Sequence, residues 1–147
     1  MGKILSIDYG RARVGLAITD SLKITAQGLD TLEIKEDSNV LIEKIKDILE
    51  KENIEEIVIG YPRHMNGDKS VLADEIDNII ERIKELNITV IKWDERLTTV
   101  NAYKDMQRLG IKQTKKKEFA DKLAATYILE DYLRSKFWWI LLTVIGK

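Results

Sequence analysis

The spacing of apolar residues changes after residue 35, and this change limits the possible folds more than any other feature of the chain. Before it, apolar and polar residues alternate in three segments that short turns separate, residues 3–9, 12–19 and 28–34. Such alternation is typical of half-buried β-strands, and short turns favour antiparallel neighbours. The sequence therefore predicts an antiparallel three-stranded meander at the start of the chain.

Beyond the meander, helical and strand-like patterns alternate. Two strands are predicted, over residues 55–60 and 88–94. Four helices are predicted, over residues 39–52 with Ser38 as N-cap, 71–86 with Ser70 as N-cap, from Thr98 or Thr99 to Leu109, and 118–135. A strand that follows a crossover helix lies parallel to an earlier strand. The predicted fold class is α/β, a mixed sheet of three antiparallel strands followed by two parallel ones, with helices on both faces.

Composition excludes several kinds of site. The chain has 147 residues, no cysteine and one histidine, so disulfides, thiolate metal sites and multi-histidine zinc sites are excluded. The net charge of −1 excludes a uniformly basic nucleic-acid coat but not a local basic patch. The absence of cysteine favours a cytoplasmic location, and the first residues do not have the pattern of a signal peptide.

The end of the chain differs from the rest. Residues 1–136 are predicted to form one domain, and residues 137–147 an apolar tail whose structure the sequence does not determine. The apolar stretch 137–145, FWWILLTVI, is about half as long as a membrane-spanning helix. It is interpreted as packing on the core or on a second chain; a membrane contact and disorder are the alternatives.

Carboxylates occur where parallel strands end. Asp8 closes the first strand, and Asp94 and Glu95 close the last, where alternation allows only one of the pair to share the face of Asp8. Asp121 extends the apolar stripe of the last helix, and Ala124 and Ala125 allow that helix to approach the sheet closely. Because sites in such sheets lie beyond the carboxyl ends of the strands, these carboxylates are expected to converge. Oxygen ligands without histidine or cysteine suit magnesium or manganese.

Four segments resemble the YqgF family of ribonuclease H-like proteins, which is related to the Holliday-junction resolvase RuvC. They are IDYGRARVGLAITD at 7–20, IVIGYPRHMNGD at 57–68, WDERLTTVNA at 93–102 and KEFADKLAATYILEDYL at 117–133. The match runs from the first strand to the last helix. RuvC has a second acidic residue about one turn after the first on its final helix, whereas this chain has Ala124 three residues after Asp121.

The resemblance implies an RNase H-like fold and a nuclease that uses two Mg²⁺ or Mn²⁺ ions. By matching motif, it makes Asp8, Glu95 and Asp121 the catalytic, metal-binding residues. It also implies processing of the 5′ end of the small-subunit (16S) ribosomal RNA precursor, with structured RNA as partner and no membrane. The alternatives are a Holliday-junction resolvase acting on branched DNA as a two-fold dimer, and a non-catalytic ribosome-assembly module. A processing nuclease could be a monomer or a homodimer.

Basic residues near the predicted site could contact phosphates. The candidate substrate-binding residues are Arg11, Arg13, Arg96, Lys115, Lys116 and Lys117. Each has a structural alternative, as a solvated turn residue, an ion-pair partner or part of a solvated loop. Because the net charge does not attract polyanions, nucleic-acid binding would have to come from such a local patch.

Overall fold

Two apolar strands form the centre of the sheet. The computed structural model describes residues 2–62, 67–94 and 123–136. Strand β1 (Lys3–Asp8) runs antiparallel to β2 (Arg13–Thr19), with Leu5 opposite Ile18 and Asp8 opposite Gly15. All but the first residue of each strand are buried, as expected for strands that helices cover on both faces.

The third predicted strand is two short strands. The prediction of one strand over 28–34 is wrong: β3 (Ala26–Gly28) and β4 (Leu32–Glu33) pair with different parts of β2. Gly28 lies opposite Ala17, whereas Leu32 lies opposite Val14. The step from Gly28 to Leu32 therefore contains one residue more than the matching step along β2, and an extra residue of this kind interrupts a ladder.

The rest of the sheet is parallel. Helix α1 (Ser38–Lys51) leads to β5 (Ile54–Tyr61), and α2 (Asp68–Lys84) leads to β6 (Thr89–Asp94). Strand β5 pairs in parallel with β1 and β6 in parallel with β5, which gives the strand order β3-β2-β1-β5-β6. The predicted order of antiparallel and then parallel strands is confirmed.

The starts of α1 and α2 differ from the predicted ones. Asp37, not Ser38, caps α1, because its carboxylate accepts a hydrogen bond from the backbone N–H of Asn39 at 3.0 Å. Helix α2 begins at Asp68 after Gly67, which has a φ of 51° and contributes no side-chain cap. The start at 71 that was predicted from Ser70 is therefore too late by three residues.

Helices cover the two faces of the sheet unequally. Helices α1 and α2 lie on the face of Leu5, Ile7, Ile57 and Ile59, where the larger buried cluster forms. Residues 123–136 are helical, here α3, and pack on the opposite face against residues that include Ile4, Ala17 and Val58. Small residues make this contact close, because Ala124 and Ala125 are 2% and 0% exposed.

Three parts of the prediction lie outside the described residues: the helix that ends near Leu109, residues 118–122 of the last predicted helix, and the tail 137–147. Among the helices that are described, none is long and apolar enough to cross a membrane.

Candidate functional site

Asp8 ends β1 on the face that α3 covers. Alternation along β1 places Ile4, Ser6 and Asp8 on this face, and Asp8 is a buried carboxylate with 5% exposure. Gly15 lies opposite Asp8 on β2, and on β5 Gly60 follows the partner of Ile7. Neither neighbouring strand therefore contributes a side chain directly beside this carboxylate.

Helix α3 runs antiparallel to β1. The Tyr132 hydroxyl donates a hydrogen bond of 2.8 Å to Oε1 of Glu56, which lies level with Ile4 near the start of β1. The Ser6 hydroxyl donates a bond of 2.7 Å to the backbone carbonyl of Ala125. Moving from Tyr132 back to Ala125 thus leads toward the carboxyl end of β1. The amino-terminal end of α3 is directed to the edge of the sheet where Asp8 lies.

Alternation along β6 separates Trp93 from Asp94. Trp93 packs on the α3 face, and its ring lies 5.6 Å from that of Tyr132 in an edge-on arrangement. Asp94 lies opposite Tyr61, whose side chain belongs to the cluster under α1 and α2. Asp94 therefore lies on the face opposite Asp8.

Most of the predicted site lies outside the described residues. This applies to two of the three predicted carboxylates, Glu95 and Asp121, and to the candidate phosphate contacts Arg96, Lys115, Lys116 and Lys117. Among the residues that the structure describes, no group of three acidic, histidine or cysteine side chains could hold a metal ion. Asp8 is the described member of the predicted triad.

The two arginines after β1 occupy different faces. Arg13 begins β2 two residues before Gly15, on the face of Asp8. Arg11 instead extends over the opposite face, where its Nε donates to both carboxylate oxygens of Glu75 on α2 at 3.1 and 3.2 Å. No local pattern distinguishes these two arginines, but the structure separates them across the sheet.

A cavity of about 480 Å³ lies on the α1/α2 face behind the end of β1. It is lined by Tyr9, Arg11, Glu36, Ser38, Glu75, Asn78, Ile79 and Arg82. Sequence reasoning missed this cavity. Its available signal was the spacing of Glu75, Asn78 and Arg82, which places a polar stripe beside the apolar stripe of α2.

Tyr9 forms part of the floor of this cavity. The residue is 7% exposed, and burial, followed by the charge of Glu75, raises the pKa of its hydroxyl. The hydroxyl therefore stays protonated at neutral pH and can act as a hydrogen-bond donor.

A second polar cluster joins α2 to the ends of β5 and β6. The Tyr61 hydroxyl donates to Asp77 at 2.9 Å, and Lys92 forms an ion pair with the same carboxylate at 2.9 Å. Lys92 Nζ also lies 4.4 Å from the centre of the Tyr61 ring. Burial acts to raise the pKa of Asp77, but the hydrogen bonds from Lys92 and Tyr61 outweigh it and lower that pKa. The cluster ties α2 to the strand that precedes Glu95.

Two solved structures share this fold. Thermus thermophilus RuvC in complex with a Holliday junction substrate matches with a TM-score of 0.56 at 16% identity, over 92% of this chain and 96% of that one. The fowlpox virus Holliday junction resolvase matches with a TM-score of 0.51 at 19% identity, over 90% and 99%. The predicted RNase H-like mixed sheet is confirmed.

Sequence relatives cover nearly the whole chain. A protein from Acetivibrio thermocellus is 43% identical over 138 residues, 91% of this chain and 96% of its own length. One from Ruminiclostridium cellulolyticum is 42% identical over 132 residues, 89% of this chain and 93% of its own. Both carry the name "Putative pre-16S rRNA nuclease". The RuvX family, described as Holliday junction resolvase, matches residues 2–135, and the chain belongs to this family.

Proposed function

We propose that this protein is a metal-dependent endonuclease that processes the 5′ end of the small-subunit ribosomal RNA precursor in the cytoplasm. The observation that carries the proposal is the buried carboxylate of Asp8, at the carboxyl end of the central strand and on the face that α3 covers. Relatives that span nearly the whole chain are named as nucleases of this RNA.

The chemistry of the ligands fits a hard divalent cation. Asp8, Glu95 and Asp121 supply only carboxylate oxygens, the ligands that Mg²⁺ and Mn²⁺ prefer. We assign these three residues to the metal site, which would hold two ions. Such ions activate water and stabilise the leaving oxygen in phosphodiester cleavage. Burial of Asp8 at the carboxyl end of β1, on the face that α3 covers, supports its role as a ligand.

The direction of α3 supports the role of Asp121. In the helix that the sequence predicts over residues 118–135, Asp121 would precede Ala125 by about 6 Å. Asp8 follows Ser6 by two residues, about 6.6 Å of strand. Ser6 and Ala125 are hydrogen-bonded, and α3 is antiparallel to β1. A step back along α3 from Ala125 and a step forward along β1 from Ser6 therefore lead in the same direction, toward the edge of the sheet where Asp8 lies.

The alternation of β6 supports Glu95 rather than Asp94. Trp93 packs on the face of Asp8, and a strand continued by two positions would place Glu95 on the same face. Asp94 lies on the face of α2. Under this proposal, Glu95 acts as a ligand and Asp94 has a structural role.

Basic residues near this edge would bind phosphates of the substrate. Arg13 lies on the face of Asp8 and is assigned to the scissile region. We assign Arg96 and Lys115, Lys116 and Lys117 to the flanking phosphates, as the sequence predicts. Arg11 lies on the opposite face, where it could contact only a part of the RNA that passes around the edge of the sheet.

Resolution of four-way DNA junctions is a second candidate, which the description of the family favours. The two activities differ in symmetry, because a resolvase cuts two strands and needs paired sites in a dimer. A nuclease that processes RNA can act as a monomer. Under this proposal, the nuclease acts as a monomer or as a homodimer.

The test compares two substrates side by side. A labelled fragment that spans the 5′ end of the 16S precursor and a synthetic four-way DNA junction are incubated with the protein and Mg²⁺ or Mn²⁺. We expect cleavage of the RNA, dependence on the metal, and loss of cleavage in Asp8→Asn. Symmetric cutting of the junction with intact RNA would favour the resolvase. No cleavage of either substrate would favour a non-catalytic assembly module.

A further inference from the structure

The cavity behind β1 has the size and the mixed polarity of a ligand site. Its volume of about 480 Å³ lies within the usual range for small-molecule sites. It is on the face opposite Asp8, yet its lining residue Tyr9 directly follows Asp8 in the chain. A strand of nucleic acid that leaves the Asp8 face around the turn after β1 would reach this cavity.

Arg82 offers positive charge to an anion in the cavity. Arg82 donates to neutral oxygens, at 3.2 Å to Ser38 Oγ and at 2.6 Å to Asn39 Oδ1, and the described residues give it no carboxylate partner. The described hydrogen bonds of Arg11 use its Nε, which leaves the terminal nitrogens of that guanidinium as donors. The Arg82 guanidinium beside the Ser38 hydroxyl suits a phosphate.

The rest of the lining suits a planar group with N–H donors. The carboxylates of Glu36 and Glu75 can accept hydrogen bonds, and the amide of Asn78 can both accept and donate. Tyr9 supplies an aromatic ring and Ile79 an apolar surface, both of which can pack against a base. A ligand that combines a phosphate with a base is a nucleotide.

We propose that this cavity binds one unpaired nucleotide of the substrate strand, away from the position of cleavage. The proposal rests on the proposed function, because it takes the ligand to be part of the cleaved RNA. The phosphate lies against Arg82 and Ser38, and the edge of the base meets Glu36 or Asn78. The site thus adds affinity for a single-stranded segment without taking part in the chemistry.

The test uses single nucleotides, without metal and without cleavage. The full-length ¹⁵N-labelled protein in EDTA is titrated with AMP, GMP, CMP and UMP, and with ribose 5-phosphate as the probe that lacks a base. We expect saturable shifts at the amides of Arg11, Ser38 and Asn78. At least one nucleotide should bind about tenfold, or about 1.4 kcal/mol, more tightly than ribose 5-phosphate, because base stacking and hydrogen bonds to the base add affinity.

Two variants and two controls locate the binding. Arg82→Gln should weaken nucleotide binding about tenfold or more, as expected for the loss of a charge-assisted hydrogen bond. Asn78→Leu, which fills the cavity with an apolar side chain, should also weaken it. The controls are Lys84→Gln, an exposed residue of α2 paired with Glu81, and Asp8→Asn on the opposite face; both should bind as the wild type does.

Several results would overturn the proposal. Absence of saturable shifts, equal binding of ribose 5-phosphate and nucleotides, or unchanged affinity in both Arg82→Gln and Asn78→Leu would each do so. Nucleotide binding by a protein that cleaves no RNA would leave the cavity assigned and refute the nuclease. RNA cleavage by a protein that binds no nucleotide would do the reverse. In an active enzyme, Arg82→Gln should raise KM for RNA about tenfold with little change in kcat.

Discussion

The Ser6 hydroxyl donates a hydrogen bond of 2.7 Å to the backbone carbonyl of Ala125, between residues 119 positions apart in sequence. Both residues are fully buried between the sheet and α3. Because Ser6 lies two residues before Asp8, this bond fixes α3 relative to the strand that carries the candidate catalytic carboxylate. The bond therefore helps to hold α3 beside the strand that carries Asp8.

Ser6→Ala should destabilise the protein moderately. The Ala125 carbonyl lies within a helix and keeps its helical partner, so the cost is that of one net hydrogen bond, about 0.5–1.5 kcal/mol. Urea unfolding measures the loss. Ser70→Ala, a partly exposed position on α2, is the matched control and should change stability by no more than about 0.5 kcal/mol. Equal stability of the two variants would show that the Ser6 bond contributes nothing.

Asp8→Asn should abolish most of the catalytic activity and Asp94→Asn should keep it, although both residues end a parallel strand of the sheet. Asp8 lies on the face of α3 and Asp94 on the face of α2. We expect Asp8→Asn to lower kcat by about a hundredfold or more while RNA still binds, since removal of a metal-activating ligand affects the transition state. Asp94→Asn should retain cleavage within about threefold.

The same pair can show that the assignment of faces is wrong. Single-turnover cleavage and RNA binding by filter retention are measured for both variants, with circular dichroism to establish that each is folded. A folded Asp94→Asn without activity, next to a folded and active Asp8→Asn, would place the catalytic carboxylates on the face of α1 and α2. That outcome would contradict the assignment of Asp8 and Asp94 to opposite faces of the sheet.

Gly10→Ala should strain the turn after β1. A Cβ on Gly10 would lie 2.6 Å from the backbone oxygen of Arg13, a distance that requires the backbone to move. Overpacking of this kind costs about 1–3 kcal/mol, which thermal unfolding would detect. Because the turn joins Asp8 to Arg13, cleavage should fall as well. A variant with wild-type Tm and wild-type kcat/KM would show that the turn relaxes freely.

The faces of the sheet could be predicted from sequence because alternation is a local property. Alternation was sufficient to predict that only one of Asp94 and Glu95 shares the face of Asp8, and the small residues Ala124 and Ala125 to expect that α3 packs closely. The local pattern failed over 28–34, where one extra residue between β3 and β4 leaves the apolar spacing intact but breaks the ladder into two pieces.

Contacts between distant residues could not be predicted from a single sequence. Arg11 pairs with Glu75 across 64 positions, and no local pattern indicates that its side chain crosses to the face opposite Asp8. The cavity follows from the same pairing, since it lies between the turn after β1 and residues of α1 and α2. The shifted cap of α1 is a smaller failure of the same kind, because Asp37 and Ser38 are both good N-caps and only the backbone selects between them.

The last prediction concerns Tyr132 and stability at alkaline pH. Its hydroxyl donates to Glu56, which also accepts a hydrogen bond of 2.6 Å from Lys136. Burial, followed by the hydrogen bond to Glu56 and its charge, raises the pKa of Tyr132 well above the ordinary tyrosine value of 10.0. Above pH 10 the unfolded chain loses this proton while the folded chain keeps it. The unfolded state then binds fewer protons, so the free energy of unfolding falls as pH rises, by up to about 1.4 kcal/mol per pH unit for one group.

Tyr132→Phe removes this titration. At pH 8 the variant should be less stable than the wild type by about 0.5–1.5 kcal/mol, because the hydrogen bond to Glu56 is lost. Between pH 10 and 11 its stability should fall less steeply, so the difference between the two proteins narrows. Urea unfolding at pH 8, 9, 10 and 11 gives both slopes, and the lysines and the other tyrosines titrate in both proteins and cancel in the comparison. Parallel slopes over this range would show that Tyr132 is not protected from ionisation by the fold.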